Sequence, residues 1–123
     1  LREIHKTLKK NGSYIMCENF NDNLINLNKL RKKLTLDEIK TRWHNKYLND
    51  KEIKNFATKR LKFKILSENN FASTYYFLTR LVKPFLFKLQ KKELKYNDAF
   101  NHLSTKFESF GEFSPMKIII LKK

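Results

Sequence analysis

Two clusters of polar-tipped side chains are the segments of this sequence best suited to line a binding site. They are Trp43-His44-Asn45 with Tyr47, and Ser73-Thr74-Tyr75-Tyr76. Imidazole is the side chain that titrates unaided near neutral pH, so His44 is the candidate base, with rings and hydroxyls forming the walls of a cleft. Each cluster also has a packing interpretation: an elbow between helices with Trp43 in the core, and a helix N-cap followed by buried rings.

The sequence carries no self-sufficient catalytic signature. It has no phosphate-cradling glycine loop, no paired Cys or His ligands and no nucleophile elbow, and its three histidines are far apart. A lone Cys17 within an apolar run excludes a disulfide inside the chain and is typical of a small core residue. Any active site must therefore be assembled by the fold.

The charge balance is strongly basic, with a net charge of +15 from 27 basic and 12 acidic residues. Of the basic residues 22 are Lys and only five are Arg. The chain is also rich in Asn, Ile and Phe, all types with A/T-rich codons, which favours base composition as the cause. Arginine, whose planar fork suits phosphate, is scarce, so a nucleic-acid partner is not expected. A basic nucleic-acid-binding module stays open as the alternative function.

No apolar stretch is long enough to span a bilayer, and no segment resembles a signal peptide, so we expect a soluble cytoplasmic protein without a membrane partner. The apolar patterns predict strands at residues 13 to 18, 61 to 67 and 116 to 121. Helices are predicted before Gly12, from Asn21 or Asp22, from a capping box at residues 35 to 38, and from Asn49 to Arg60. Two more are predicted from Tyr75 to Gln90, kinked at Pro84, and from Tyr96 to Phe107.

The opening helix-turn-strand unit predicts that this chain belongs to a larger α/β fold. Leu1, Ile4 and Leu8 form an apolar stripe, lysines fill the last turn, and Gly12 can close the helix in the left-handed conformation. Such a unit needs a parallel strand before it, so residues 13 to 18 would have an unpaired hydrophobic edge through which the chain could self-associate. Glu18 lies just past the carboxyl end of this strand, where open α/β sheets bind ligands.

Residues 1–4 (LREI) and 8–12 (LKKNG), followed by the strand, resemble the helix-turn-strand in the second half of class I S-adenosylmethionine-dependent methyltransferases. Lys10 and Asn11 replace the usual proline and first glycine. The segments 27–31, 43–48, 71–76 and 111–123 are similar to a bacterial branch of that family that acts on small molecules.

The resemblance implies an α/β fold: part of a Rossmann-like methyltransferase sheet, comprising strands five, six and seven with flanking helices. The last strand would insert antiparallel between the other two. Residues 1–123 would be the C-terminal part of a single domain, and the loops that hold S-adenosylmethionine would precede Leu1, leaving this part inactive alone. The candidates for the small-molecule acceptor site are His44 as base, with Glu18, Asn28, Arg31, Trp43, Tyr47, Thr74, Tyr75 and Tyr76.

Overall fold

The computed structural model describes residues 1–93 and 99–123. The strands are β1 (Ser13–Asn19), β2 (Lys64–Asn70) and β3 (Met116–Lys122). The helices are α1 (Arg2–Thr7), α2 (Asn21–Lys33), α3 (Asp50–Asn55), α4 (Ser73–Tyr76), α5 (Lys83–Leu89) and α6 (Ala99–Ser104). π-Helical turns at Phe56–Arg60 and Phe77–Val82 extend α3 and join α4 to α5. The α/β class predicted from the sequence is confirmed.

The three strands form one sheet in the order β1-β3-β2, with β3 antiparallel to both neighbours. β1 and β2 therefore point in the same direction on either side of the last strand. Ile120 pairs with Ile15 of β1 and with Ser67 of β2, and the register on the β2 side shifts between Ile65 and Ser67. A last strand that is antiparallel and central is the order that the resemblance predicts.

The main core lies on one face of this sheet. Its buried members are Met16, Phe20, Ala57, Phe63, Ile119 and Leu121. In β3 burial alternates along the strand, with Lys117, Ile119 and Leu121 inside, as expected for a strand with one covered face. Leu1 and Leu8, which flank α1, and Ile53 of α3 pack against this core, so this half of the fold supports the sheet rather than the cleft described below.

β1 is mostly exposed, although residues 14–17 form an apolar run. Of its residues only Met16 is buried, Ile15 is 64% exposed, and Cys17 is exposed rather than a core residue. Within the described residues β1 pairs with β3 alone, so it is an edge strand, and one face of an edge strand readily stays in contact with water. An apolar run in sequence reports hydrophobicity but not which face a neighbour covers.

Two helix boundaries differ from the sequence prediction. After α1 the left-handed residue is Asn11, with φ of 63°, and not Gly12. Gly12 is needed for space instead, since a Cβ there would lie 2.9 Å from the Lys9 carbonyl oxygen. The N-cap of α2 is Phe20, whose side chain has no hydrogen-bonding atom, and not Asn21 or Asp22 as predicted. The Asp22 carboxylate instead accepts a hydrogen bond from the Asp50 backbone N–H at 3.0 Å.

The capping box at residues 35 to 38 does not start a helix. Thr35 has φ of 54° and ends the turn that closes α2, and the stretch from Leu36 to Arg42 has no regular secondary structure. By contrast, the predicted cap at Asn49 is confirmed, with its side-chain oxygen 2.8 Å from the Glu52 backbone nitrogen. A capping sequence is only a local preference, which tertiary contacts override.

The remaining elements agree with the sequence apart from their ends. β2 begins three residues later than predicted, at Lys64, because Phe63 is buried against the core before the ladder starts. The helix predicted to kink at Pro84 becomes α4, a π-helical turn and α5, with Pro84 in the first turn of α5, directly after the π-helical turn. The predicted helix from Tyr96 lies partly outside the described residues; α6 is its described part.

Candidate functional site: a basic, tyrosine-lined cleft

A cleft of about 510 Å³ opens between α2, the irregular segment that follows it, and the helical segment from α4 to α5. Its lining residues are Leu24, Arg31, Ile39, Arg42, Tyr47, Tyr75, Tyr76, Thr79, Arg80, Lys83, Pro84, Asn101 and Pro115. α2 and α4 follow the carboxyl ends of β1 and β2. The cleft therefore occupies the edge at which open α/β sheets bind ligands.

Asn23 joins the elements that meet behind this cleft. Its side-chain nitrogen donates hydrogen bonds to the Asn70 side-chain oxygen at 2.9 Å and to the Ser114 carbonyl at 2.7 Å. Asn23 is 5% exposed, and a buried amide is stable only when its polar atoms have partners. The first turn of α2 is thus held to the end of β2 and to the turn before β3.

Arg31 links three walls of the cleft. Its Nε donates to the Asp37 carbonyl at 2.7 Å, and another guanidinium nitrogen donates to the Arg80 carbonyl. Burial and the neighbouring Arg80 charge lower the pKa of Arg31, against the opposing effect of Asp37. An arginine pKa remains far above neutrality even when lowered, so Arg31 is a fixed cation held by the backbone.

Three tyrosines form the aromatic side of the cleft. The rings of Tyr75 and Tyr76 meet edge to face, with centroids 5.7 Å apart. Burial raises the pKa of the Tyr76 hydroxyl, and nearby Tyr47 raises it further, while Arg80 opposes the shift. At neutral pH the hydroxyl is therefore protonated and can donate a hydrogen bond to a ligand.

Asn28 acts on the cleft indirectly. Its side-chain nitrogen donates to the Ile39 carbonyl at 3.0 Å, and its side-chain oxygen accepts from the Ile39 backbone N–H at 2.9 Å. This pair of bonds holds the irregular segment after α2, which carries Ile39 and Arg42 to the cleft. Asn28 is consequently a positioning residue and not one of the lining residues.

Thr74 is also absent from the lining residues, although its neighbours Tyr75 and Tyr76 are among them. Its hydroxyl donates to the Glu108 carbonyl at 2.7 Å and accepts from the Phe110 backbone N–H at 3.2 Å. The Ser73 hydroxyl likewise donates to the Gly111 carbonyl at 3.0 Å and accepts from the Phe113 N–H at 2.9 Å. These two hydroxyls anchor the segment before β3.

The remaining predicted site residues lie outside the cleft lining. Trp43 is 92% exposed and meets the exposed His44 ring edge to face, with centroids 5.3 Å apart. Neither the core interpretation of Trp43 nor its role as a cleft wall fits this exposure. Glu18 is exposed on β1, in register with Lys117. A catalytic role for His44 stays a prediction, and the geometry of the cleft lends it no support.

Of the predicted residues, the structure thus brings together Arg31, Tyr47, Tyr75 and Tyr76. The sequence analysis missed the other cations, Arg42, Arg80 and Lys83. A signal existed for two of them, because Arg80 and Lys83 follow Tyr76 at four and seven positions, the spacing of one helical face. No local signal marked Arg42, which reaches the cleft from an irregular segment.

Residues 1–93 and 99–123 contain no group of three His, Cys, Asp or Glu side chains that could hold a metal ion. Over the same residues, no helix combines the length and the apolar character that crossing a bilayer requires. Comparisons with the profiles of known protein families, with curated protein sequences and with solved structures find no match to this chain.

Proposed function

We propose that this chain is the C-terminal portion of a class I S-adenosylmethionine-dependent methyltransferase that acts on a small-molecule acceptor. The observation that carries the proposal is the strand order β1-β3-β2, with an antiparallel last strand between two strands of like direction. In the family that the opening residues resemble, this order belongs to strands five, seven and six. The proposal extends the observed three-stranded sheet to a Rossmann-like one.

The cleft supports a small molecule as the acceptor. Its volume of about 510 Å³ lies within the range of roughly 300–1,000 Å³ typical of small-molecule sites. Arg31, Tyr47, Tyr75 and Tyr76 combine a fixed cation with aromatic walls, a set that can orient a polar molecule with an apolar body. Methyl transfer depends mainly on aligning the acceptor with the sulfonium, so orientation is the contribution expected of these residues.

S-Adenosylmethionine would be bound chiefly by loops that the resemblance places before Leu1. It would supply the methyl group, while this chain would supply half the sheet and the acceptor cleft. The first test is to read the same frame upstream of Leu1. We expect a strand, a glycine-rich turn and an acidic residue about twenty positions later. An upstream sequence without these features would refute the methyltransferase assignment.

Calorimetry gives the second test. The chain of 123 residues should show no micromolar binding of S-adenosylmethionine, whereas the protein lengthened by its upstream frame should bind it. Micromolar binding to the 123 residues alone would contradict the proposal that S-adenosylmethionine is bound chiefly by loops before Leu1. We also propose that the 123-residue chain self-associates through the β1 edge, where Ile15 is 64% exposed.

A further inference from the structure

The arginines of this chain are concentrated in one place. Arg31, Arg42 and Arg80 line the cleft, which accounts for three of the five arginines in the sequence. Lysine behaves differently, since Lys83 is the only lysine among the described residues that lines it, although the sequence has 22. A basic composition imposed by codon bias would scatter both residue types over solvated faces. The arginines therefore mark the cleft as a site for a specific chemistry.

The described residues that line the cleft include four cations and no carboxylate. Asp37, which is not one of the lining residues, accepts the Arg31 hydrogen bond through its backbone carbonyl oxygen. Within residues 1–93 and 99–123, neither Arg42 nor Arg80 forms an ion pair with a carboxylate. Burial lowers the pKa of Arg31 and repulsion from the Arg80 charge lowers it further, while Asp37 opposes the shift.

We infer that the ligand of this cleft is a small molecule with an oxyanion group, phosphate or carboxylate, on an aromatic or apolar body. Its role as methyl acceptor rests on the methyltransferase proposal. Arg80 and Arg42 would bind the oxyanion through their planar forks, beside Arg31, which the backbone holds in place. Tyr47, Tyr75 and Tyr76 would contact the body of the ligand. The Tyr76 hydroxyl, protonated at neutral pH, would add a hydrogen bond.

The test uses the whole 123-residue chain and four probes: phenyl phosphate, benzoate, uncharged benzyl alcohol and a ten-nucleotide oligoribonucleotide. Binding is followed by the backbone amide resonances of Ile39, Thr79 and Arg80 in nuclear magnetic resonance titrations. Phenyl phosphate or benzoate should bind saturably, and the tighter of the two identifies the oxyanion. Benzyl alcohol should bind at least about tenfold more weakly, because it lacks the charge-assisted hydrogen bonds.

The variants Arg80→Gln and Arg42→Gln should each weaken binding by about tenfold, the effect of losing one charge-assisted hydrogen bond. Arg60→Gln is the matched control, since it removes the same charge from an exposed position outside the cleft. It should change the affinity by less than about twofold, the screened effect of a distant charge. Because Arg42 is exposed and unpaired by carboxylates in the described chain, its variant should keep the wild-type fold.

Three results would overturn the inference: equal affinities for benzyl alcohol and the anions, equal losses in all three variants, or tight oligoribonucleotide binding that Arg60→Gln weakens as much as Arg80→Gln. The last result would favour the nucleic-acid-binding alternative. S-Adenosylmethionine takes no part in these titrations. A lengthened protein that fails to bind it would end the methyltransferase proposal, while anion binding in the cleft would still stand.

Discussion

The sharpest prediction about stability compares two Lys–Glu bridges of equal length and unequal burial. Lys117 Nζ lies 2.9 Å from Glu68 Oε1, and Lys6 Nζ lies 2.9 Å from Glu3 Oε1. The side chains of Lys117 and Glu68 are 10% and 30% exposed, against 70% and 81% for Lys6 and Glu3. Glu68→Gln and Glu3→Gln thus remove the same charge from a half-buried network and from an open surface.

The magnitude follows from the partners that remain. Glu68 also accepts from Lys54 at 2.5 Å, and after its replacement Lys117 would keep one carboxylate among the described residues, that of Asp50 at 3.5 Å. Breaking a fully buried pair costs about 3–5 kcal/mol, and an exposed pair contributes about 0–1 kcal/mol. With Glu68 about a third exposed, we expect Glu68→Gln to lower the free energy of unfolding by about 2 kcal/mol, and Glu3→Gln by less than about 0.5 kcal/mol.

The assay is urea denaturation at neutral pH, monitored by circular dichroism. We expect the free energy of unfolding to fall with urea concentration at the same slope in wild type and both variants. A pH series adds an independent check. Burial alone would raise the pKa of Glu68, but hydrogen bonds from Lys54 and Lys117 outweigh it and hold the pKa below the ordinary 4.5. The difference between wild type and Glu68→Gln should therefore persist down to pH 4.5 and shrink as pH falls through the lowered pKa. Equal losses in the two variants would refute this reasoning.

Other substitutions test the core, the pair of hydrogen bonds between Asn28 and Ile39, and the sheet edge at β1. Leu27→Ala should lower the free energy of unfolding by about 2–5 kcal/mol, because Leu27 is 0% exposed; Leu103→Ala, at a position 42% exposed, is the control and should cost far less in the same denaturation assay. Asn28→Ala removes both hydrogen bonds to Ile39 and should cost about 1–3 kcal/mol. It should also speed amide exchange at Ile39, and unchanged protection there would show that these two hydrogen bonds do not hold the irregular segment after α2. Ile15→Lys should leave the urea midpoint unchanged and reduce self-association in sedimentation velocity; wild-type behaviour would exclude the β1 edge as the contact.

Local sequence features predicted much of the fold. The Asn49 cap and the apolar run that marks β3 each depend on residues a few positions apart, so their signals survive without knowledge of the partner elements. The same local rules failed at Thr35, whose capping box lies where the chain must turn to close α2. They failed again at Cys17, since hydrophobicity does not reveal which face of an edge strand is covered.

The candidate site was only partly predictable. The sequence analysis grouped Arg31, Tyr47, Tyr75 and Tyr76 in one candidate site, on the basis of the two clusters of polar-tipped side chains and the methyltransferase resemblance. It could not separate these residues from His44, Trp43 and Glu18, which share the same segments but lie outside the cleft lining. Direction of the side chain, and not position along the chain, makes that distinction.

What the sequence determined by itself is most of the elements, though not the absence of a helix at residues 35 to 38, and the excess of positive charge, since propensity, periodicity and composition are properties of neighbouring residues. The tertiary structure decided which of the positive charges come together in the cleft. Arg31, Arg42 and Arg80 are separated by 11 and 38 positions in the sequence, and no local pattern connects them. They meet because Asn23 and Asn28 fix α2 and its following segment beside the helix that leaves β2. Long-range hydrogen bonds of this kind arise only when the whole chain has folded.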